Sequence, residues 1–510
     1  MPPHEWSVQP RTVRYLLAVM GAFAWLSAGL VIRQGLLIDS RSPLLWGTAG
    51  CGVIAGLFSW GLGLRLSDDA IIAAQNWLSA RLTVAQPQRT TTSRPLLHWG
   101  LLISGVLFFA ANTTWVYHHQ DSPDDDDQGA FLITAREIHE RGGITQLWND
   151  LWSGEFAESN RHPLLLGLQS VAPTVTGGRI VSIVAASVTF GLILLLVWRK
   201  FGPFTAGILS VLIGTNGAWL YHAPRIVCES LLTGLAGILW LSLIPHRKAS
   251  DPPAPTAIRK VNAAVAGLLC GLVYLTKGTG LLLFGATALA FISMALVQPT
   301  QRRSWAMALF LWALGFVVVA SPLLVRNQIR FGSATYNVNS YLLWVDAYES
   351  PNAMADRMTL TETRSAYLAS HSPTDIIKRE VTGLVWQTFI GLRTLGTAPW
   401  SDARLLVGVP LFLLALIGLS QQPRASSLVL ILWTLIIWGM MAWYVPIAAG
   451  DRFIMLLLIP WLTLAADGFA RIPHMTGNVP AAQFRVAVIV LVLGLVSTAL
   501  VWSQTSLWEC

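Results

Sequence analysis

The sequence predicts an all-α polytopic membrane protein, and three observations carry that prediction. Hydrophobic residues fill 54% of the 510 positions and charged residues only 12%, with a mean hydropathy of +0.56. Apolar runs close to the ~20 residues that cross a ~30 Å hydrocarbon core recur along the chain. These runs are solid, as in Ile180 to Val197, where a β-barrel would alternate polarity in ~10-residue segments.

The first run, Tyr15 to Ile32, is long and lacks a small-residue cleavage site, which predicts a retained helix. Further spans are predicted near residues 44–64, 96–117, 178–198, 204–221, 226–244, 261–276, 279–297, 304–325, 404–420, 427–446, 453–470 and 484–502, about 13 in all. The net charge of +8 is spread through short connections, so it marks topology rather than a nucleic-acid surface. Alternation from a cytoplasmic N-terminus puts the basic connections inside: Arg65 to Arg94, Arg199-Lys200, His246 to Lys248 with Arg259-Lys260, Arg302-Arg303, Arg424, and Arg471 with Arg485. The acidic segment Tyr117 to Pro163 and the segment from Arg326 to about Ser401 then share the outer face.

Shorter elements are predicted within these outer segments. Gly129 to Arg141 has Ala130, Ile133, Thr134 and Ile138 on one side and Arg136, Glu137 and Glu140 on another. His162 to Val175 opens with His-Pro and is too short to cross, which predicts a re-entrant or interfacial helix beneath the acidic loop. Ser372-Pro373-Thr374-Asp375 is a helix start with a capping serine, proline at the first helical position and an acid in the first turn. The helix after it sets Ile377, Val381, Leu384 and Val385 against Lys378, Arg379 and Gln387, as an amphipathic helix on the outer leaflet would. Asp251 to Pro255 is proline-rich and reads as a linker.

The four cysteines, Cys51, Cys228, Cys270 and Cys510, have no metal-ligand or redox spacing and read as small buried side chains. Charges beside the outer ends of spans are costly in a bilayer and point to function or pairing. They are Arg179, Arg225, Glu229, Lys277, Arg326, Asp451 and Arg452. Arg225 and Glu229 are four apart, a spacing at which they can simply pair. Lys277 sits in the turn Thr276-Lys277-Gly278-Thr279-Gly280 between two short apolar runs, which implies a thin or water-accessible region. The run Asp124 to Asp127 is open to three readings: a solvated cluster, a weak divalent-cation site, or catalytic carboxylates. Carboxylates on a loop, cations at helix ends and an apolar surround suit a lipid-linked anionic substrate, with one carboxylate as base on an acceptor hydroxyl. Glycosyl transfer is the reaction that combination suggests.

Several segments, in order, carry a more specific resemblance. They are Asp126-Asp127-Gln128-Gly129-Ala130-Phe131 through Arg136, Gly142-Gly143, His162-Pro163-Leu164, Gly178-Arg179-Ile180, Arg225 to Leu232, Gly271 to Lys277, Pro322 to Asn327 with Phe331-Gly332, and Asp451-Arg452-Phe453 with Pro460. Together these make the chain similar to the GT-C superfamily, nearest to the protein O-mannosyltransferase, aminoarabinose transferase and RgtA/B/C/D-like families. The resemblance covers roughly Asp121 to Phe469.

It implies a GT-C-like transmembrane catalytic domain over residues 96–470 with outer loops 118–177 and 326–403. Residues 1–95 are then an N-terminal two-helix membrane segment with a cytoplasmic loop, and residues 471–510 a C-terminal loop and last helix. The implied activity is inverting transfer from a polyprenyl-phosphate sugar donor to a hydroxyl of a lipid, glycan or protein acceptor. Asp126 matches the family base, with Asp125 or Asp127 as alternatives one residue away. Lys277, Arg326 and Arg452 would hold the phosphate, and Glu229 would position sugar or acceptor; Arg225 and His162 complete the candidate binding residues. No cofactor and no tightly held metal are expected, and a divalent cation remains an alternative. Membrane lipids are expected partners and nucleic acid is not. The expected location is a bacterial inner membrane with the site facing the periplasm. A transporter or flippase of a lipid-linked or anionic substrate is the alternative; it should show a repeated half with matching broken helices, and none is visible.

Overall fold

The computed structural model describes residues 43–73, 95–120, 126–244, 260–397, 402–475 and 479–503, with scattered positions between 14 and 32. The expected span 15–32 lies largely outside the described residues, and the linker Asp251 to Pro255 entirely so. Among the described residues every element is helical apart from an isolated antiparallel bridge between Asn216 and Thr397. In chain order the helices begin with α1 (Pro43–Arg65), α2 (Pro95–His119), α3 (Asp126–Glu140), α4 (Gly143–Ser153), α5 (Pro163–Gln169) and α6 (Val175–Phe201). They continue with α7 (Pro203–Gly214), α8 (Gly217–His222), α9 (Glu229–Leu243), α10 (Lys260–Thr276), α11 (Gly280–Val297) and α12 (Arg302–Phe331). The last are α13 (Pro351–Arg357), α14 (Leu360–Ser370), α15 (Pro373–Leu395), α16 (Leu405–Ser420), α17 (Arg424–Tyr444), α18 (Leu458–Arg471) and α19 (Val479–Ser503).

Seven described helical stretches are long and apolar enough to cross a membrane: those containing α2, α6, α11, α12, α16, α17 and α19. Three shorter apolar helices, α7, α9 and α10, complete a multi-pass membrane protein. The long helices turn many large apolar side chains outward, among them Ile103, Val184, Phe310 and Leu413, as a lipid-facing surface requires. The short α7, α9 and α18 are buried almost throughout.

Three expected spans are shorter than the apolar runs suggested. The run 204–221 breaks at Thr215-Asn216, where the Asn216 side chain caps α8 by accepting from Trp219 N and donates to Thr394 O (2.8 Å) and Gly396 O (3.1 Å). The run 226–244 becomes helical only at Glu229, and the run 453–470 starts with tight 3-10 turns before Leu458. In each case long-range polar contacts or tight turns override local hydrophobicity.

Small residues set the closest helix crossings. A Cβ on Gly267 would sit 2.3 Å from Trp312 O and one on Gly315 2.6 Å from Ala264 O, so α10 and α12 touch backbone to backbone. The same holds between α2 and α7, where a Cβ on Gly214 would sit 2.4 Å from Gly105 O.

The segment after α2 folds as α3, α4 and α5. The helix expected at Gly129 to Arg141 is α3, but it buries Phe131, Leu132, Ala135 and Ile138, while Ile133 is exposed. The expected short helix at His162-Pro163 is the seven-residue α5, starting at Pro163. In the second loop region Ser372 and Asp375 cap α15 reciprocally, as their spacing predicted. Its polar face is not what the sequence suggested, because Arg379 and Gln387 are buried. Arg379 donates to Val345 O, Trp443 O and Tyr367 Oη and lies over the Trp443 ring. The loop folds back on this arginine and removes it from solvent.

Candidate active site

Four side chains from distant parts of the chain meet at one end of the bundle. Asp127 lies in the first turn of α3, Glu229 is the first residue of α9, Lys277 lies between α10 and α11, and Arg452 lies in the 3-10 turn before α18. Gln128 Oε1 accepts from Ile226 N at 3.0 Å, which fixes the start of α3 against the turn leading into α9.

The charges alternate along a continuous path. Arg452 Nη1 donates to Asp127 Oδ2 at 2.6 Å, and its Nε lies 3.6 Å from Glu229 Oε1. Lys277 Nζ donates to the same Glu229 oxygen at 3.0 Å. Glu229 is 3% exposed, whereas the side chains of Asp127 and Arg452 are 39% and 40% exposed. The cluster is therefore rooted in the bundle and open on one side. Glu229 Oε2 is buried with no hydrogen-bond partner, so the site keeps an acceptor in reserve. Burial disfavours a charged Lys277, but the Glu229 carboxylate outweighs it and holds the ammonium above its usual range. Burial likewise opposes the Arg452 charge, and Glu229 and Asp127 overcome it.

Asp451, next to Arg452 in the chain, has a different task. It accepts from Arg404 Nη2 at 2.7 Å, Thr394 Oγ1 at 3.0 Å and Arg393 Nη2 at 3.3 Å. Burial pushes its carboxyl up, but the two guanidiniums prevail and hold it below the ordinary aspartate range. This buried knot ties the turn that carries Arg452 to α15 and the start of α16.

Other expected site residues are placed nearby or elsewhere. His162 Nδ1 is 2.5 Å from Tyr274 O; burial first, then the fields of Arg326 and Lys277, lower its pKa to about 4, so the imidazole is neutral near pH 7. A Cβ on Gly278 would lie 3.3 Å from His162 Nε2, which sets this ring against the Lys277 turn. Arg326 is 3% exposed, donates from Nη1 to Glu158 O at 2.7 Å and lies over the Phe156 and Phe331 rings. It braces the loop before α5 and makes no ion pair with the Glu229 cluster. Arg225 Nη1 donates to Tyr221 Oη at 2.6 Å and lies over that ring. The i,i+4 pairing open to Arg225 and Glu229 is not made, because residues 223–228 are non-helical. Arg179 donates to Tyr117 O and Pro224 O, tying α6 to the end of α2.

Asp126 opens α3, but its side chain, like all of Asp125, lies outside the described residues. Sequence reasoning missed His222, which is 6% exposed with an unpartnered Nδ1 and lies within the electrostatic reach of Glu229 and Arg452. It also missed Arg393 and Arg404; Arg404 opening an apolar run was the available signal.

Fold and site thus define a multi-pass, all-helical membrane protein with a half-open cluster of paired charges where its short inner helices end. Comparison with solved structures finds similarity to ArnT from Cupriavidus metallidurans bound to undecaprenyl phosphate, at 14% identity and a TM-score of 0.44 over 72% of this chain. The apo state of that protein gives 0.45 at the same identity and coverage. The archaeal oligosaccharyltransferase AglB from Archaeoglobus fulgidus, in complex with an inhibitory peptide and a dolichol-phosphate, gives 13% identity and 0.39 over 79% of this chain. The matches span 60% of the ArnT chains and 56% of the AglB chain. No family model and no curated protein matches the sequence.

Proposed function

We propose that the chain is an inverting glycosyltransferase that moves a sugar from a polyprenyl-phosphate carrier to an acceptor hydroxyl. The observation that carries this reading is the Asp127, Arg452, Glu229 and Lys277 cluster, two carboxylates and two cations rooted in a membrane bundle and open on one side. We assign Lys277 and Arg452 to neutralising the charge on a departing lipid phosphate. Glu229, with one oxygen unpartnered, is suited to accept from a sugar hydroxyl.

Asp126 is our assignment for the base. Asp127 Oδ2 is engaged by Arg452, so its lone pairs are less available for a proton. Asp126 removes the acceptor proton, the hydroxyl oxygen attacks the anomeric carbon, and polyprenyl phosphate leaves with the electrons of the breaking bond. Inversion follows from this single displacement. We assign Arg326 to bracing the loop at Glu158 rather than to the phosphate. We place the reaction on the periplasmic face of a bacterial inner membrane, within a catalytic domain spanning 96–470.

The direct test is release of polyprenyl phosphate from a panel of polyprenyl-phosphate sugars, with an acceptor extract present. Wild type should consume one donor, Asp126→Asn should lose at least about 100-fold, as loss of general-base catalysis does, and Asp127→Asn should retain more. Turnover of no donor, or an Asp126→Asn rate equal to wild type, would sink the assignment.

A further inference from the structure

The 11-residue α4 carries an apolar stripe that the described residues leave uncovered. Ile144, Trp148 and Trp152 are 51%, 54% and 42% exposed, and spacings of four place all three within ~80° of the helix circumference. The Trp148 and Trp152 rings lie edge to face at 6.0 Å. On one side of the stripe Leu147 and Leu151 turn into the protein. On the other, Thr145, Asn149 and Ser153 are exposed and uncharged. The helix is therefore amphipathic along its exposed side as well as towards the core, and it contains no Lys or Arg.

Two observations say what covers the stripe. First, it continues the lipid-facing surface at both ends. A Cβ on Gly154, just past α4, would meet Ile329 Cγ2 at 2.6 Å, and Ile329 is exposed on α12, the helix that turns Phe310 and Val318 outward. A Cβ on Gly167 would lie 3.2 Å from Leu147 Cδ2 and 4.0 Å from Ile144 Cγ1, and beyond Gly167 the exposed Leu168 and Val171 lead to the lipid-facing α6. Second, α12 supplies a ruler. The exposed Arg302 and Arg303 mark one edge of the hydrocarbon core. Ile329 is 26 positions past Arg303, ~37 Å along the bilayer normal at the usual ~20° tilt. That is ~7 Å beyond a ~30 Å core, inside the headgroup zone of a ~40–45 Å bilayer, where tryptophan is favoured.

We propose that α4 is a membrane anchor that lies in the bilayer interface, with Ile144, Trp148 and Trp152 against the lipid and Thr145, Asn149 and Ser153 towards water. The partner is the bilayer surface itself, and the attraction is apolar rather than electrostatic, because α4 offers lipid headgroups no cation. The anchor reaches the candidate site through α3, whose first turn holds Asp127. Arg141 Nη2 at the end of α3 pairs with Asp150 Oδ2 of α4 at 2.9 Å, and the Asp150 side chain is 5% exposed. Gly142 and Gly143 make the turn between the two helices at φ of 119° and 71°, a conformation that side chains disfavour. The turn and the ion pair hold α3 to α4, so the height of α4 in the interface sets the height of α3.

The test places nitroxide labels on the full-length protein in phosphatidylcholine nanodiscs, one at a time, at Ile144→Cys, Trp148→Cys, Trp152→Cys and Asn149→Cys. Cys51→Ser and Cys510→Ser form the background, Cys228 and Cys270 being buried. Power saturation then compares relaxation by oxygen, which concentrates in lipid, with relaxation by a water-soluble nickel chelate. The oxygen-to-nickel ratio at 144, 148 and 152 should exceed that at 149 by about fivefold, as for a face buried ~5–10 Å into the interface. Exchange of half the phosphatidylcholine for phosphatidylglycerol should leave the ratios unchanged. A ratio at 148 and 152 equal to that at 149 would place the stripe in water. Shielding of 148 and 152 from both reagents would show that a second copy or another protein covers it. Either result, or a ratio that rises only with phosphatidylglycerol, would overturn the proposal.

Discussion

Replacing Lys277 with methionine removes a charge while keeping most of the side chain's length, and the structure allows the consequence to be sized. Lys277 Nζ is 3.0 Å from Glu229 Oε1, with side-chain exposures of 25% and 3%. At an effective dielectric near 20 the attraction is about 5 kcal/mol before desolvation. Breaking a buried pair costs about 3–5 kcal/mol, because the remaining charge is stranded. Arg452 Nε, 3.6 Å from the same oxygen, stays as a partial counter-ion, so the lower end, about 3 kcal/mol, is expected for Lys277→Met. In the double variant with Glu229→Gln neither charge is stranded, and a coupling of about 2 kcal/mol should appear. The assay is unfolding of the purified protein in mixed micelles titrated with dodecyl sulfate, for wild type, both single variants and the double. Strictly additive effects, with Lys277→Met costing under about 0.5 kcal/mol, would refute the paired arrangement. In the proposed reaction the same variant should also lose about 100-fold in turnover, the value of one charge-stabilising donor.

Other expectations follow from neighbouring groups. Asp451→Asn should destabilise by about 3 kcal/mol, because it removes the carboxylate charge that lies 2.7 Å from the Arg404 guanidinium, both side chains being 1% exposed; an unchanged unfolding midpoint would rule out the anchoring knot. His162 is held neutral with a pKa near 4, so the unfolded chain binds the extra proton as pH falls from about 6.5. Stability should therefore drop between pH 6.5 and 4, by up to about 3 kcal/mol from this residue, and His162→Asn should flatten that part of the profile; parallel wild-type and variant profiles would contradict it. Because Lys277 and Arg452 already supply positive charge, turnover should persist in excess chelator, and loss restored by a divalent cation would place a metal at the aspartates.

The helical membrane class was legible because long apolar runs have few alternatives, and the start of α15 because Ser372, Pro373 and Asp375 act locally. The break at Thr215-Asn216 was not, since the residues that hold Asn216 are Thr394 and Gly396, about 180 positions away. Arg379 read as solvent-facing because its helix alone shows a polar stripe, and nothing local announces that Tyr367 and Trp443 will cover it. In the site, Glu229, Lys277 and Arg452 stood out as charges in apolar surroundings, which the bilayer tolerates only with a partner. Their partners did not stand out, because Glu229 takes Lys277 from 48 positions away in place of its near neighbour Arg225. Arg326 drew notice for the same reason as Lys277, yet its bond is to a backbone oxygen.

The short inner helices act as a depth gauge. The 15 residues of α9 rise ~22 Å, about 8 Å less than a ~30 Å hydrocarbon core, and the 14 residues of α18 fall short by a similar margin. Glu229 opens the first of these helices and is 3% exposed, whereas Asp127 and Arg452 are 39% and 40% exposed, so the Glu229 carboxylate forms the buried floor of the cluster. A group reaching that floor has left the bulk interface, where salt and water screen charge, for a place where the same ion pairs act more strongly. Whatever enters has to bring enough opposite charge to displace Asp127 or Glu229 from their cations, so the resting ion pairs double as an entrance requirement.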